Sequence, residues 1–189
     1  MSIDPVRYDN FTPNLRETTM LPLFKRLISA LFASLILLCN ATAQALPPPT
    51  GKVILTVSGK VGGKNGADGA SFDMAMLERL PQRTFSTQTP WYPQPVTFTG
   101  PLLRDVLAAA KATGTLLKAV ALNDYKTEIP LADAQTFDVV LALKMNGEPI
   151  PVRTKGPLFI VYPFDTKPEL KSNKYFERSA WQLKSIAVE

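Results

Sequence analysis

Few side chains in this sequence are equipped for chemistry, and two absences narrow the choice further. The 189 residues contain no histidine and a single cysteine, Cys39. Without imidazole there is no histidine base and no histidine ligand for zinc. A Ser–Lys pair needs no histidine, but no serine here is framed by a nucleophile motif. The remaining candidates are suited to binding. Trp91 and Tyr92 lie between Pro90 and Pro93, and an indole so placed either stacks on a flat ring or plugs the core. Asn123-Asp124-Tyr125 follows an apolar run. A carboxylate such as Asp124 accepts two side-by-side N–H bonds from a guanidine-like edge; the same triplet also suits a plain turn. Arg153, Lys155 and Arg178 are cations for a phosphate or polar tail, with a solvated surface as their ordinary role. Trp181 precedes a terminal alternating segment and reads as core or as a second ring contact.

The elements that must position these residues follow from pattern. Val53 to Gly59 is rich in β-branched residues and reads as an opening strand. The Gly-rich stretch 62–69 reads as a turn, because no phosphate-binding strand-to-helix fingerprint accompanies it. A short helix is expected over Phe72–Leu80, capped by Ser71 and stopped by Pro81. Arg83 to Thr89 alternates as a strand. A helix is expected to begin near Thr99-Gly-Pro, with Pro101 in its first turn and Leu102, Leu103, Val106 and Leu107 on its buried face. Further strands are expected at 117–122, 127–131 and 138–145, with a hairpin turn at Asn146-Gly147. Leu158 to Tyr162 is nearly all apolar and reads as a central strand. One helical turn is expected at 175–179, and Trp181 to Val188 closes the sheet. Strands of mixed spacing with two short helices make an α+β domain.

The N-terminal 45 residues read differently. Lys25 and Arg26 precede an apolar run from Leu27 to Leu38, and Ala43-Gln-Ala45 supplies small residues at a cleavage site. The run is about 12 residues, short of the ~20 a membrane span needs. Met20 could open a compact signal peptide alone, so residues 1–45 divide into an extension and a cleaved signal, and 46–189 form the domain. Leu38 before Cys39 is too large for a lipidation motif. The expected location after export is the periplasm. Past Ala45 there are 17 Lys and Arg against 13 Asp and Glu, with no basic run and no interleaved aromatics, which argues against nucleic acid. No cysteine remains there for a disulfide, so an ordinary apolar core must hold the domain.

Four stretches, in their order and spacing, carry a family resemblance: Leu55-Thr-Val-Ser-Gly, Phe98-Thr-Gly-Pro-Leu-Leu-Arg-Asp-Val-Leu, Asn123-Asp-Tyr, and Met145-Asn-Gly-Glu-Pro-Ile with Lys155-Gly-Pro-Leu. The terminal Trp181 to Val188 also matches. Over nearly all of 46–189 the sequence resembles the oxidoreductase molybdopterin-binding domains of the sulfite oxidase type. The resemblance implies a single such domain, a mixed sheet with short helices, and a pterin pocket. Trp91, Asn123, Asp124, Tyr125, Arg153, Lys155, Arg178 and Trp181 are its expected ligand contacts. The family's metal-ligating cysteine falls ahead of Phe98-Thr-Gly, where this chain has Ser86-Thr-Gln-Thr89. A hydroxyl is a poor substitute for a soft thiolate. The expected cofactor is therefore a pterin, such as a tetrahydropterin, without molybdenum.

The sequence also resembles small periplasmic pterin-binding proteins of this fold that partner membrane-bound cyclic-di-GMP enzymes. That similarity implies a signalling protein, with the pterin and the periplasmic region of such a regulator as partners. The alternatives are a molybdopterin-dependent oxidoreductase with non-cysteine ligation and an interaction domain with a vestigial pocket. N-terminal sequencing of exported protein is expected to read from Leu46. An intact segment from Met20 on that protein would refute the signal-peptide reading.

Overall fold

The computed structural model describes residues 45–189, so the expected signal peptide and Cys39 lie outside the described residues. The observed elements are β1 (Leu55–Gly59), β2 (Ala70–Phe72), α1 (Met74–Arg79), β3 (Gln82–Thr87), β4 (Val96–Pro101), α2 (Leu103–Ala109), β5 (Leu116–Ala121), β6 (Lys126–Pro130), α3 (Leu131–Thr136), β7 (Val140–Ala142), β8 (Lys144–Met145), β9 (Glu148–Pro149), β10 (Phe159–Val161), a 3-10 turn (Pro168–Leu170), α4 (Asn173–Arg178) and β11 (Leu183–Val188). The domain is α+β with a mixed sheet, as the sequence pattern predicts.

Five strands form the main sheet in the order β2-β1-β11-β5-β6. β11 is its middle strand, parallel to β1 and antiparallel to β5. One face is sealed: Leu55, Val57, Leu117, Ala119, Ile129, Leu183 and Ile186 have no exposed surface. The alternate residues Thr56, Lys118, Val120 and Ser185 are only half-buried, the period-2 pattern of a sheet with one wet face. A second, antiparallel sheet runs β3-β4-β8-β9. Its β8–β9 hairpin turns at Asn146 and Gly147, both with positive φ (52° and 85°), which an Asn-Gly turn tolerates.

Several expected elements are displaced, each for a tertiary reason. Ser71 and Phe72 lie in β2, because Phe72 pairs with Leu55 and is buried. The cap of α1 is Asp73, whose Oδ1 accepts the Met76 N–H at 2.8 Å. Thr99 to Pro101 belong to β4 and pair with β3, so α2 starts two residues after Pro101. A Cβ at Gly100 would run into the Leu141 carbonyl, so this close approach of β4 and β7 needs glycine. The expected continuous strand 138–145 is broken: β7 pairs with β10, whereas β8 joins β4. β10 is fully buried, yet it lies in this two-stranded sheet and not at the centre of the large one. Helix α3 is unheralded, since its sequence Leu-Ala-Asp-Ala-Gln-Thr is short and has no side-chain cap.

Asp73 also ties the start of the domain to α1. Its Oδ2 accepts the N–H groups of Thr50 and Gly51, each at 2.8 Å. The backbone bonds from Gly51 and Met76 hold its carboxyl below the usual carboxylate range. A depressed folded-state pKa stabilises above the unfolded value and is lost as pH falls through the folded one. Asp73→Ala is therefore expected to lower the melting temperature at neutral pH, with the gap to wild type closing below about pH 3.8. A gap independent of pH would mean that these bonds do not depend on the carboxylate.

Candidate functional site

Trp91 is carried by the irregular loop between β3 and β4. Its indole stands edge-on to Phe159, Phe164, Phe176 and Trp181, at centroid distances of 5.4, 6.1, 6.1 and 5.7 Å. Edge-to-face pairs of this kind are favourable beyond the area they bury. Trp181 is placed by a bridge to Phe159. Tyr125 lies nearly parallel to Trp181, with planes 6° apart and centroids 6.5 Å apart, and its hydroxyl donates to the Glu177 carbonyl at 2.8 Å. These residues open onto a cavity of about 230 Å³ lined by Trp91, Tyr125, Asn173, Phe176, Glu177, Ser179 and Trp181. A larger groove of about 720 Å³ adjoins it along the wet face of the main sheet, sharing Tyr125 and Glu177.

Lys155 brings a cation to the same rings. Its Nζ lies 3.7 Å from the Trp181 centroid and 5.5 Å from that of Trp91. Burial among these rings holds its pKa below the ordinary lysine value. The backbone beneath it is fixed by Gln182, which has a left-handed φ of 53°. The Gln182 N–H donates to the Lys155 carbonyl at 2.9 Å, and its Nε2 donates to the Val152 carbonyl at 2.7 Å. Gly156 packs so closely on the Ile150 carbonyl that no Cβ fits. Burial also raises the Tyr92 hydroxyl pKa.

The sequence candidates thus divide. Trp91, Tyr125 and Trp181 line the cavity together, and Lys155 packs on the same indoles from outside that lining. Asn123 shapes a turn, its Oδ1 accepting the Tyr125 N–H at 3.2 Å. Asp124 sits in that turn with φ 63°, is 80% exposed and pairs with Lys184 at 2.8 Å. The Lys184 bond lowers its pKa, and its carboxylate lies outside the cavity lining. Arg153 is exposed. Arg178 is committed inward: it donates to Asp133 Oδ2 at 2.8 Å, as does the buried Tyr162 hydroxyl. Burial, then the Asp133 charge, raises the pKa of Tyr162 strongly. Phe176 and Gln182 complete the setting without a distinctive sequence signal, whereas Tyr92 is marked by its place beside Trp91 between two prolines.

The pattern of the oxidoreductase molybdopterin binding domain matches residues 50–175. The chain belongs to that family. A solved structure similar to it is the sulfane dehydrogenase SoxCD from Paracoccus pantotrophus, with 19% sequence identity and a TM-score of 0.53. The match covers 71% of this chain and 37% of the SoxCD chain, so it concerns the fold alone, over little more than a third of that protein. No curated protein matches the chain.

The family implies a molybdopterin cofactor, and the residues present fit it only in part. The indoles of Trp91 and Trp181 and the Lys155 ammonium suit a flat heteroaromatic ring. The donor set for a thiolate-held metal is missing: the described residues contain no cysteine, and no three Asp or Glu side chains among them converge on one point. In the Ser86–Thr89 segment, Thr87 Oγ1 accepts the Asp165 N–H at 3.1 Å. Thr89 Oγ1 is buried without a hydrogen-bond partner among the described residues, but a neutral hydroxyl is a hard, weak ligand. Removing the Arg178 guanidinium would leave Asp133 a poorly compensated charge. Arg178→Met is expected to cost about 3 kcal/mol in denaturant unfolding, while Asp124→Asn leaves both melting temperature and ligand affinity unchanged. Normal stability of Arg178→Met would show that the inward ion pair does not form.

Proposed function

We propose that this molybdopterin-binding-type domain binds a pterin without holding catalytic molybdenum. The observation that carries this reading is the group Trp91, Tyr125 and Trp181 with the Lys155 ammonium seated on it, in a domain with no cysteine. Stacking on an indole recognises a bicyclic ring without a metal, and the cation meets acceptor oxygens on its edge. The reading extends to an exported protein that reports pterin status to a membrane-bound cyclic-di-GMP regulator. Its support is the signal-like N-terminal segment and the similarity to small pterin-binding partners of such enzymes.

The test is mass spectrometry of small molecules released from protein purified from the periplasm, with elemental analysis of the same sample. A pterin mass with molybdenum far below one per chain is expected. Near-stoichiometric molybdenum with oxidoreductase turnover would replace this reading with that of a molybdopterin-dependent enzyme ligated without cysteine. Ring stacking contributes about 1–3 kcal/mol, so Trp181→Ala is expected to weaken pterin affinity by about 5- to 150-fold in a fluorescence titration. Unchanged affinity in a folded Trp181→Ala protein would move the ligand elsewhere.

A further inference from the structure

We propose that a groove at one end of the main sheet, walled by Val53, Leu122 and Val152, docks an acidic, apolar peptide segment of a partner protein. The groove is a different surface from the Trp91–Trp181 cavity, and its role does not depend on what that cavity holds.

Among the described residues four large apolar side chains are exposed: Val53, Leu122, Tyr125 and Val152. Tyr125 belongs to the cavity, and the other three line a single groove of about 360 Å³. Exposed apolar residues scattered singly call for no explanation, but a contiguous set does. Leu183, with no exposed surface, contributes to the groove's floor. The walls come from three separate connections: Val53 just ahead of β1, Leu122 just after β5 and Val152 in the loop after β9. Each is pinned at or beside its backbone. The Ile54 N–H donates to the Phe72 carbonyl at 2.9 Å, and the Leu122 N–H donates to the Gln182 carbonyl at 2.8 Å. Gln182 Nε2 donates to the Val152 carbonyl at 2.7 Å. The recess is therefore formed before anything binds, which lowers the ordering cost of binding.

Charge selects the occupant. No Asp or Glu lines the groove, whereas Lys52 and Lys184 do. Lys184 is engaged by Asp124 at 2.8 Å. Lys52 makes no ion pair with any described residue, and neither does Arg153, which is exposed next to Val152 in the chain. A second copy of this chain, docked on the same patch about a two-fold axis, would set these cations against their own copies. The lining holds no carboxylate to offset that repulsion. An anionic bilayer suits the charge but presents a broad surface, whereas the apolar side chains here flank a recess that protruding side chains fill. A segment with a Leu- or Phe-sized side chain beside an Asp or Glu meets both the recess and the cations.

The experiment selects a random peptide library, displayed on phage, against the purified protein and then titrates the enriched peptides in synthetic form. Enriched sequences are expected to place a large apolar residue beside Asp or Glu. Val152→Asp puts a like charge in the apolar wall and is expected to weaken their binding by about 10-fold or more. Lys52→Glu and raised salt should each weaken it by a smaller factor. Lys64→Asp, a charge change of the same sign in the Gly-rich loop beyond the far end of β1, should alter affinity by less than about 2-fold. Enriched peptides without acidic residues, peptides that bind Val152→Asp as well as wild type, or no enrichment at all would overturn the inference. Two further measurements identify rival occupants. A wild-type dimer in analytical ultracentrifugation that dissociates in Val152→Asp would give the groove to a second copy. Flotation with phosphatidylglycerol vesicles that is lost in Val152→Asp would give it to a membrane. Either result overturns the peptide reading, and none of these outcomes bears on the pterin reading. Should Val152→Asp not fold, Val152→Ser and Leu122→Asp decide the question in its place.

Discussion

The edge-on packing of one indole against four rings organises the site. Phe159 comes from β10, Phe164 from the segment after it, Phe176 from α4 and Trp181 from the approach to β11. Trp91 itself comes from a loop with no regular structure. A loop is normally the loosest part of a domain, but this one is anchored by its largest side chain. Stacking of a flat ligand on these indoles would depend on that anchor. If the rings did not hold Trp91, Lys155 would have one indole fewer beneath it and the cavity would lose a wall.

The second organising feature is Gln182. Its left-handed backbone turns the chain between Trp181 and β11. From there its main chain reaches two loops: its N–H meets Lys155, and its carbonyl accepts the Leu122 N–H at 2.8 Å. Its side chain reaches Val152. The Lys155 loop and the Asn123-Asp124-Tyr125 turn are thereby referenced to one residue. Aromatic stacking and cation placement are then properties of one rigid corner, which is how a site gains precision from a scaffold.

Local pattern reveals much of this domain and misses what long-range pairing decides. The strands at β1, β5, β6 and β11 and the Asn146-Gly147 hairpin are legible because alternation and turn chemistry are local properties. The starts of α1 and α2 are not. Phe72 and Thr99-Gly100 obey pairing with Leu55 and with β3, which no window around them encodes. The candidate residues divide in the same way. Trp91 and Trp181 announce themselves by type, and Lys155 by the Lys-Gly-Pro motif. Asp124 and Arg178 have the right chemistry for a ligand, but Lys184 and Asp133, far away in sequence, already engage them. Composition shows that a charge exists; only the fold shows whether it is already satisfied.

The position of β11 constrains how the protein is made. The middle of the main sheet is the last of the described strands in the sequence, and Thr56 must wait for Ser185 before it has its parallel neighbour. Until then β1 and β5 have an open gap between them, and the sealed face cannot close. Pairings so distant in sequence form slowly, because loop closure must precede any gain from contact. The sealed face therefore closes only in a late step that joins the most sequence-distant strands of the domain.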